Sequence, residues 1–544
     1  MPLSRRQFLA TPAVAAAAAT LLDTQDAAAQ TESAAGSPPA GAAPQLQPPP
    51  AVAVIAANRM AYGPRSGDIQ RITTMGLQAY VDEQLAPVDS QDTDCNARIA
   101  AATLKIQYDA GTGYPAVNEN RALTALSKPL DQLWALRSHG AFAERIRPAE
   151  EVRAATWIRM VYSKWQLREV LVEFWHNHFN VNAYSDNRIS ATWPIYDRDV
   201  IRANSLGNFR TFLEAVAKST AMLYYLDNAS SKDGPANENW ARELFELHTL
   251  GADHYFNALY DNWRDVPGAD TGNPIGYIDE DVYEAARAFT GWTVADGAGI
   301  GGGATLPNTG AFHYYDGWHD NAQKRVLATE FSSNQPAQAD GKKVLDLVAY
   351  HPGTAKYVCT KLCKRLVGDA PSEALVQAAV DVWIANKTAP DQIKKTVRAI
   401  LLSAEFAATW GGKVKRPPEV VASFLRATNA TVTPNANLWS NQARAGYRQF
   451  EWPTPTGHPD IAEPWLSTNV MLQRWNLVIG PGSGSATFRL RDEMPAGTNT
   501  ATKVVDFWVN RILGRAVDAA TRTRLIEFMA QGAGPDSTLP PILD

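Results

Sequence analysis

Cysteine is scarce in this chain of 544 residues, with three in all. That count excludes a disulfide framework and a four-cysteine zinc site. Cys359 and Cys363 stand four apart in a stretch of helical period, and Cys95 lies far from both. They read as small buried side chains; export would permit one disulfide and still leave a thiol over. Long apolar runs are missing too. Nothing after the leader reaches the about 18 consecutive apolar residues of a membrane helix, so no transmembrane segment is expected in the mature protein. Nor is there an excess of positive charge. The formal net charge is −5, which gives no electrostatic footprint for nucleic acid. No repeat of fixed period occurs, which argues against a solenoid.

What remains is ordinary globular material, 45% apolar and 20% charged, long enough for one large core or two intimate ones. The N-terminus carries an address. Ser4-Arg5-Arg6-Gln7-Phe8-Leu9 sets two arginines before a short, weakly apolar run, and Ala27-Ala28-Ala29 offers a cleavage site. Residues 1–29 therefore read as a twin-arginine signal, a receptor-read address for export of an already folded protein to the periplasm or beyond. Residues 30–50, rich in Ala and Pro, read as a disordered linker. The ordered domain is expected over 51–544.

Apolar residues recur at helical spacing over most of that domain, at 68–85, 130–145, 148–179, 209–226, 237–250, 279–290, 341–366, 372–386, 390–402 and 417–428. Pro148 with Glu150 and Glu151 reads as a helix start. Strand-like alternation is confined to 312–315 and 325–327. The expected fold is mainly α, a large multi-helix globular domain with minor β hairpins. The glycine-rich 297–303 lacks the lysine and hydroxyl of a phosphate loop and reads as a surface loop; 480–485 reads as a linker.

Three segments are dense in chemistry. In Phe174-Trp175-His176-Asn177-His178-Phe179, preceded by Glu169 and Glu173, the residues Glu169, Glu173 and His176 share a helix face. Glu173 and His176 also have the Glu-x-x-His spacing of carboxylate-bridged metal sites in helix bundles. His178 lies about 200° around the helix from His176, so both reach one site only if the helix ends there. The second segment runs Asn237-Glu238-Asn239-Trp240-Ala241-Arg242-Glu243, then Glu246 and His248, with Glu243 and Glu246 facing together. A capping network with an Arg242 ion pair is its plainer reading. The third, Tyr277 to Trp292 followed by His319-Asp320 and Lys324, has acids suited to a helix start and a His-Asp pair in an aromatic loop.

Together with Asn58-Arg59, Tyr62-Gly63, Ala288-Phe289-Thr290-Gly291-Trp292, His351-Pro352, Lys361-Leu362, Lys415-Arg416-Pro417, Pro455-Thr456-Gly457 and Arg474-Trp475-Asn476, these segments resemble the signature blocks of the DUF1800 family. The resemblance covers nearly the whole mature chain. It implies secretion, often by the twin-arginine route, and supplies no settled activity or ligand set. One departure is a long, acidic and aromatic insert between Gly251 and Tyr277, a candidate lid or partner surface.

Three functions compete. A metal-dependent hydrolytic or oxidative enzyme would hold Zn, Fe or Mn through His176, His178, Glu243 and Glu246, with Glu238, Glu243, Glu246, His319 and Asp320 as candidate catalytic groups. A metal-free glycoside hydrolase would use two of Glu173, Glu238, Glu243 and Glu246 about 5–10 Å apart. A non-catalytic envelope or matrix protein would bind a polysaccharide or envelope component, and its polar segments would be buried hydrogen-bond networks. Convergence of His176, His178 and His319 on Glu243 or Glu246 favours the first; histidines satisfied singly favour the third.

Overall fold

The computed structural model describes residues 49–234, 236–479 and 485–540. The expected signal, most of the linker at 30–50, and 480–484 of the expected second linker lie outside the described residues. Twenty-two α-helices and five two-stranded antiparallel sheets form among the described residues, so the fold is mainly α. Residues 50–544 form one compact unit. None of the described helices is long and apolar enough to cross a membrane.

The alternating Leu104 and Ile106 turn inward on β1 (Thr103–Tyr108), which pairs with β2 (Val117–Ala122). This hairpin escaped the sequence reading, which placed strands only further on. The periodic stretch at 148–179 is two helices. The first, α1 (Phe142–Tyr162), starts six residues before Pro148 and carries that proline inside. Burial there outweighs the proline's missing donor: Arg147 forks onto the Leu104 and Arg121 carbonyls and onto Glu151. The chain then breaks where Asp92 accepts from the Ser163 hydroxyl at 2.6 Å and from the Lys164 amide at 3.0 Å. It resumes as α2 (Gln166–His178), the helix of the first dense segment.

β3 (Trp292–Asp296) pairs with β4 (Asn308–Tyr314), Trp292 opposite Tyr314, and β5 (Lys324–Val326) with β6 (Thr329–Phe331). The strand signals at 312–315 and 325–327 thus mark real hairpins. The expected helix over 341–366 breaks at His351, whose Nδ1 accepts from the Gly353 amide and caps α3 (Pro352–Leu366). Further on, α4 (Pro417–Ala427) begins on two prolines. The core runs through Trp157, Trp175, Phe179, Trp193, Phe209 and Phe212, all fully buried, each worth roughly 1.5–3 kcal/mol. All three cysteines are buried free thiols. The insert after Gly251 folds into three short turns around a small core of Val266, Ala269 and Ile278.

Candidate functional site

Two π-helical segments flank the end of α2, and such widened turns often sit at functional sites. The first, Tyr196–Arg202, brings Asp197 and Arg202, five apart, to one side. Asp197 lies 3.0 Å from Nε2 of His176 and accepts from Nε of Arg202 at 2.9 Å. Arg202 in turn forks onto Glu169 at 3.0 and 2.8 Å. Burial opposes ionisation of Asp197 and Glu169, but Arg202 outweighs it and holds both carboxyls below their ordinary range. Glu173 has different partners. It pairs with Arg416, lies 3.4 Å from Arg365, and accepts from the Tyr447 hydroxyl at 2.9 Å. Burial disfavours its charge too, and the two arginines again prevail. Glu169, Glu173 and His176 do line one cavity, of about 20 Å³, as their shared face requires. Each acid is nonetheless locked to an arginine.

The second π segment, Leu244–His248, ends the short helix Asn239–Glu243. Asn237 accepts from the Asn239 amide, and Glu238 lies 3.1 Å from Arg242, which also reaches Asp279 at 3.3 Å. That is the capping network with an Arg242 ion pair. Half-buried Glu246 lies near the phenols of Tyr277 and Tyr357, and Glu243 near those of Tyr225 and Tyr277. His248 is fully buried, its ring 5.3 Å from Phe179 and 5.6 Å from Trp240, and its two nitrogens have no hydrogen-bond partner among the described residues. Burial, then Lys361, pushes its pKa down to about 3. Nε2 of His178 donates to the His248 carbonyl at 3.1 Å, leaving Nδ1 unpartnered; burial and Lys361 keep this imidazole neutral as well.

His319 and Asp320 belong to another network. His319 donates to the Thr290 carbonyl at 2.9 Å and lies 3.3 Å from Asp340. Asp320 accepts from Arg287 at 2.6 and 3.1 Å, and Lys324 bonds Asp340 at 2.8 Å. These contacts fasten the aromatic loop to its neighbours. The structure therefore distributes the candidate residues rather than gathering them: His176 on Asp197, His178 on a carbonyl, Glu238 on Arg242, His319 and Asp320 in a third cluster. Among the described residues no group of three or more His, Cys, Asp or Glu side chains is placed to hold a metal ion.

A pocket of about 320 Å³ opens where α2 ends against α3, the start of α4 and the loop at 452–461. Its wall includes His178, Lys361, Lys364, Arg416, Trp452 and His458. The loop is cinched to the end of α2. Asn180 donates to the carbonyls of Trp452 and Thr454, and Asn177 accepts from both the backbone and Nδ1 of His458. Gly457 makes that approach possible: at φ +69 it backs onto the Asn177 carbonyl, whose oxygen would lie 2.2 Å from any added Cβ. Burial, then Arg416, drives the pKa of His458 down to about 3, and the Arg448 amide donates to its Nε2.

The pocket's arginines are committed, Arg416 to Glu173 and Arg365 to Glu419. Its lysines are not. Among the described residues neither Lys361 nor Lys364 makes a hydrogen bond or close ion pair; Asp460 attracts Lys361 only from further off. The Lys361 ammonium lies 5.2 Å from the Tyr357 ring, and although part of the side chain remains exposed, burial lowers its pKa to about 8. The sequence reading gave none of Asp197, Arg202, His248, Lys361, Lys364 or His458 a role. The available signal was the spacing of Lys361 and Lys364, three apart and hence on one helix face.

Fold and pocket together define a mainly α-helical protein with a cationic cavity sized for a small molecule, at the lower end of ordinary ligand sites. A family model described as a protein of unknown function, DUF1800, matches residues 55–539, and the chain belongs to that family. No curated protein and no solved structure matches the chain. Four of the blocks that carry the family resemblance meet at this one pocket: Phe174 to His178, Lys361, Arg416, and Thr456 with Gly457.

Proposed function

We propose that the protein is exported by the twin-arginine route and takes a small anionic organic molecule into the Lys361/Lys364 pocket. The observation that carries this reading is the pair of ammonium groups without a close protein acceptor in a walled cavity. A partly buried cation without a close acceptor loses some of its hydration, and an anionic ligand offsets that cost. The Trp452 face offers an apolar or sugar-like body something to stack on, and the pocket's two histidines are neutral. This stands nearest the binding-protein reading of the sequence, with the ligand an acid, such as a uronic acid unit, rather than a neutral glycan. The metal-enzyme reading is less favoured because, among the described residues, no third His, Cys, Asp or Glu joins any two of its candidate ligands in a group placed to hold a metal ion. A larger pocket of about 560 Å³ beside the insert is less suited to recognition, since both ring nitrogens of its His351 are used in backbone contacts.

Calorimetric titration with glucuronate against glucose tests the proposal. Glucuronate is expected to bind and glucose not. The double variant Lys361→Gln/Lys364→Gln should lose at least about tenfold in affinity, since each charge-assisted hydrogen bond is worth roughly 1.5–3 kcal/mol. Equal affinities of variant and wild type for a panel of organic acids would sink the reading.

A further inference from the structure

The two lysines are not equivalent. They stand three apart on the face of α3 that lines the pocket, so Lys364 holds a second positive charge close to Lys361. Burial and this neighbour both disfavour the ammonium form of Lys361, while Asp460 opposes them from a distance. Asp460 is itself engaged by Lys413 at 3.2 Å and Arg365 at 3.8 Å. The neutral His178 and His248 and the Tyr357 ring also lie near the amine, and Arg365 and Arg416 on the same wall are paired with Glu419 and Glu173. A desolvated lysine beside a second cation, with no close acceptor of its own, is the arrangement that makes an amine nucleophilic near neutral pH.

We infer that Lys361 forms a covalent imine with the carbonyl carbon of a 2-oxo acid in this pocket, Lys364 pairing with the acid's carboxylate. The inference rests on the anion-pocket reading and adds a reaction to it. The Nζ lone pair attacks the carbonyl carbon to give a carbinolamine, and the carbonyl oxygen leaves as water. Counted from the ammonium, two of its three protons depart in that water and the third stays on the iminium nitrogen, so charge and atoms balance without an oxidant. Borohydride reduces the C=N bond and makes the adduct permanent.

The test is trapping of the full mature protein with glyoxylate and cyanoborohydride, mapped by peptide mass spectrometry. Lys361 should be modified at least about tenfold faster than the exposed Lys387 and Lys503, because its lowered pKa leaves more of the amine unprotonated near neutral pH. Lys361→Arg should lose the adduct. If that variant does not fold, Lys364→Gln carries the test: it should slow trapping of glyoxylate much more than trapping of acetaldehyde, which has no carboxylate. Modification of Lys361 no faster than that of Lys387 or Lys503 overturns the inference. Titration with glycolate, an acid without the carbonyl, separates the two ideas. Glycolate binding without selective trapping leaves the anion pocket standing and removes the imine, and failure of both removes both.

Discussion

Replacing Gly457 by alanine is a direct perturbation of the pocket that touches none of its charges. Two costs can be worked from the geometry. At φ +69 a side chain meets its own backbone, worth about 1–2 kcal/mol. The new Cβ would also lie 2.2 Å from the Asn177 carbonyl oxygen and 2.9 Å from its carbon. Those are backbone atoms at the end of a buried helix and cannot swing aside as a flexible side chain would, so a further cost of about 1–3 kcal/mol is expected. The loop at 452–461 can relieve the overlap only by backing away from α2, which breaks the Asn177 bonds to His458 and moves Trp452 and His458 off the pocket wall. Gly457→Ala should therefore lower the urea midpoint, speed proteolysis within that loop and weaken organic-acid binding together. Gly303→Ala is the control: its φ is +80 but nothing lies within 4 Å of the added carbon, so only the backbone cost applies. Equal stability of the two variants, with binding intact in Gly457→Ala, would refute the claim that the loop's close approach builds the pocket.

Other outcomes follow from the buried charges. Asp197→Asn leaves Arg202 and His176 without their buried carboxylate and should cost about 3–5 kcal/mol by chemical denaturation. A cost below about 1 kcal/mol would mean water reaches the cluster. Stability should fall on acidification below about pH 6.5, because His248 and His458 titrate near 3 when folded and near 6.5 when unfolded. Across that window the unfolded chain binds more protons, so each histidine removes about 1.4 kcal/mol per pH unit. The depressed Asp197, Glu169 and Glu173 add stability present above pH 4–5, by the usual carboxylate range, that is lost as pH falls further. Stability flat from pH 7 to 4 would contradict this. The native protein should react with no equivalent of a thiol reagent and the unfolded chain with three, since burial raises the thiols, Cys95 and Cys363 to about 12.

Helix content was legible because burial repeats with the helical period: Ile393, Val397, Ile400 and Leu401 are buried along one face of Gln392–Leu401. The break between α1 and α2 was not, because its cause, Asp92, stands 71 residues away from Ser163. Helix-start chemistry at Pro148 misled for a similar reason. The residues that hold the helix through the proline are Arg147 and its remote carbonyl partners. At the site, spacing correctly placed Glu169, Glu173 and His176 on one cavity, yet it could not show what faces them. Lys361 was visible in a family block and in its three-residue spacing from Lys364. Its desolvation depends on four segments meeting, which no local pattern encodes.

The acids that suggested metal or glycoside chemistry have a different physical role. Glu173 receives Arg416 from the start of α4 and Arg365 from α3, and Glu419 receives those same two arginines. Two carboxylates and two guanidiniums thus tie α2, α3 and α4 together behind the pocket. A carboxylate so held stays ionised far below neutral pH and cannot serve as a general acid there, which counts against Glu173 in a glycosidase pair. The same quartet explains why the pocket's charge is left to the lysines. Both arginines are neutralised by acids of their own, while no acid closes on Lys361 or Lys364. If the quartet were present only for stability, the lysines that share its helix and line the same cavity would need no exposure to a ligand. Their lack of a close acceptor, beside a network in which the arginines all have one, is what distinguishes the pocket from the rest of the core.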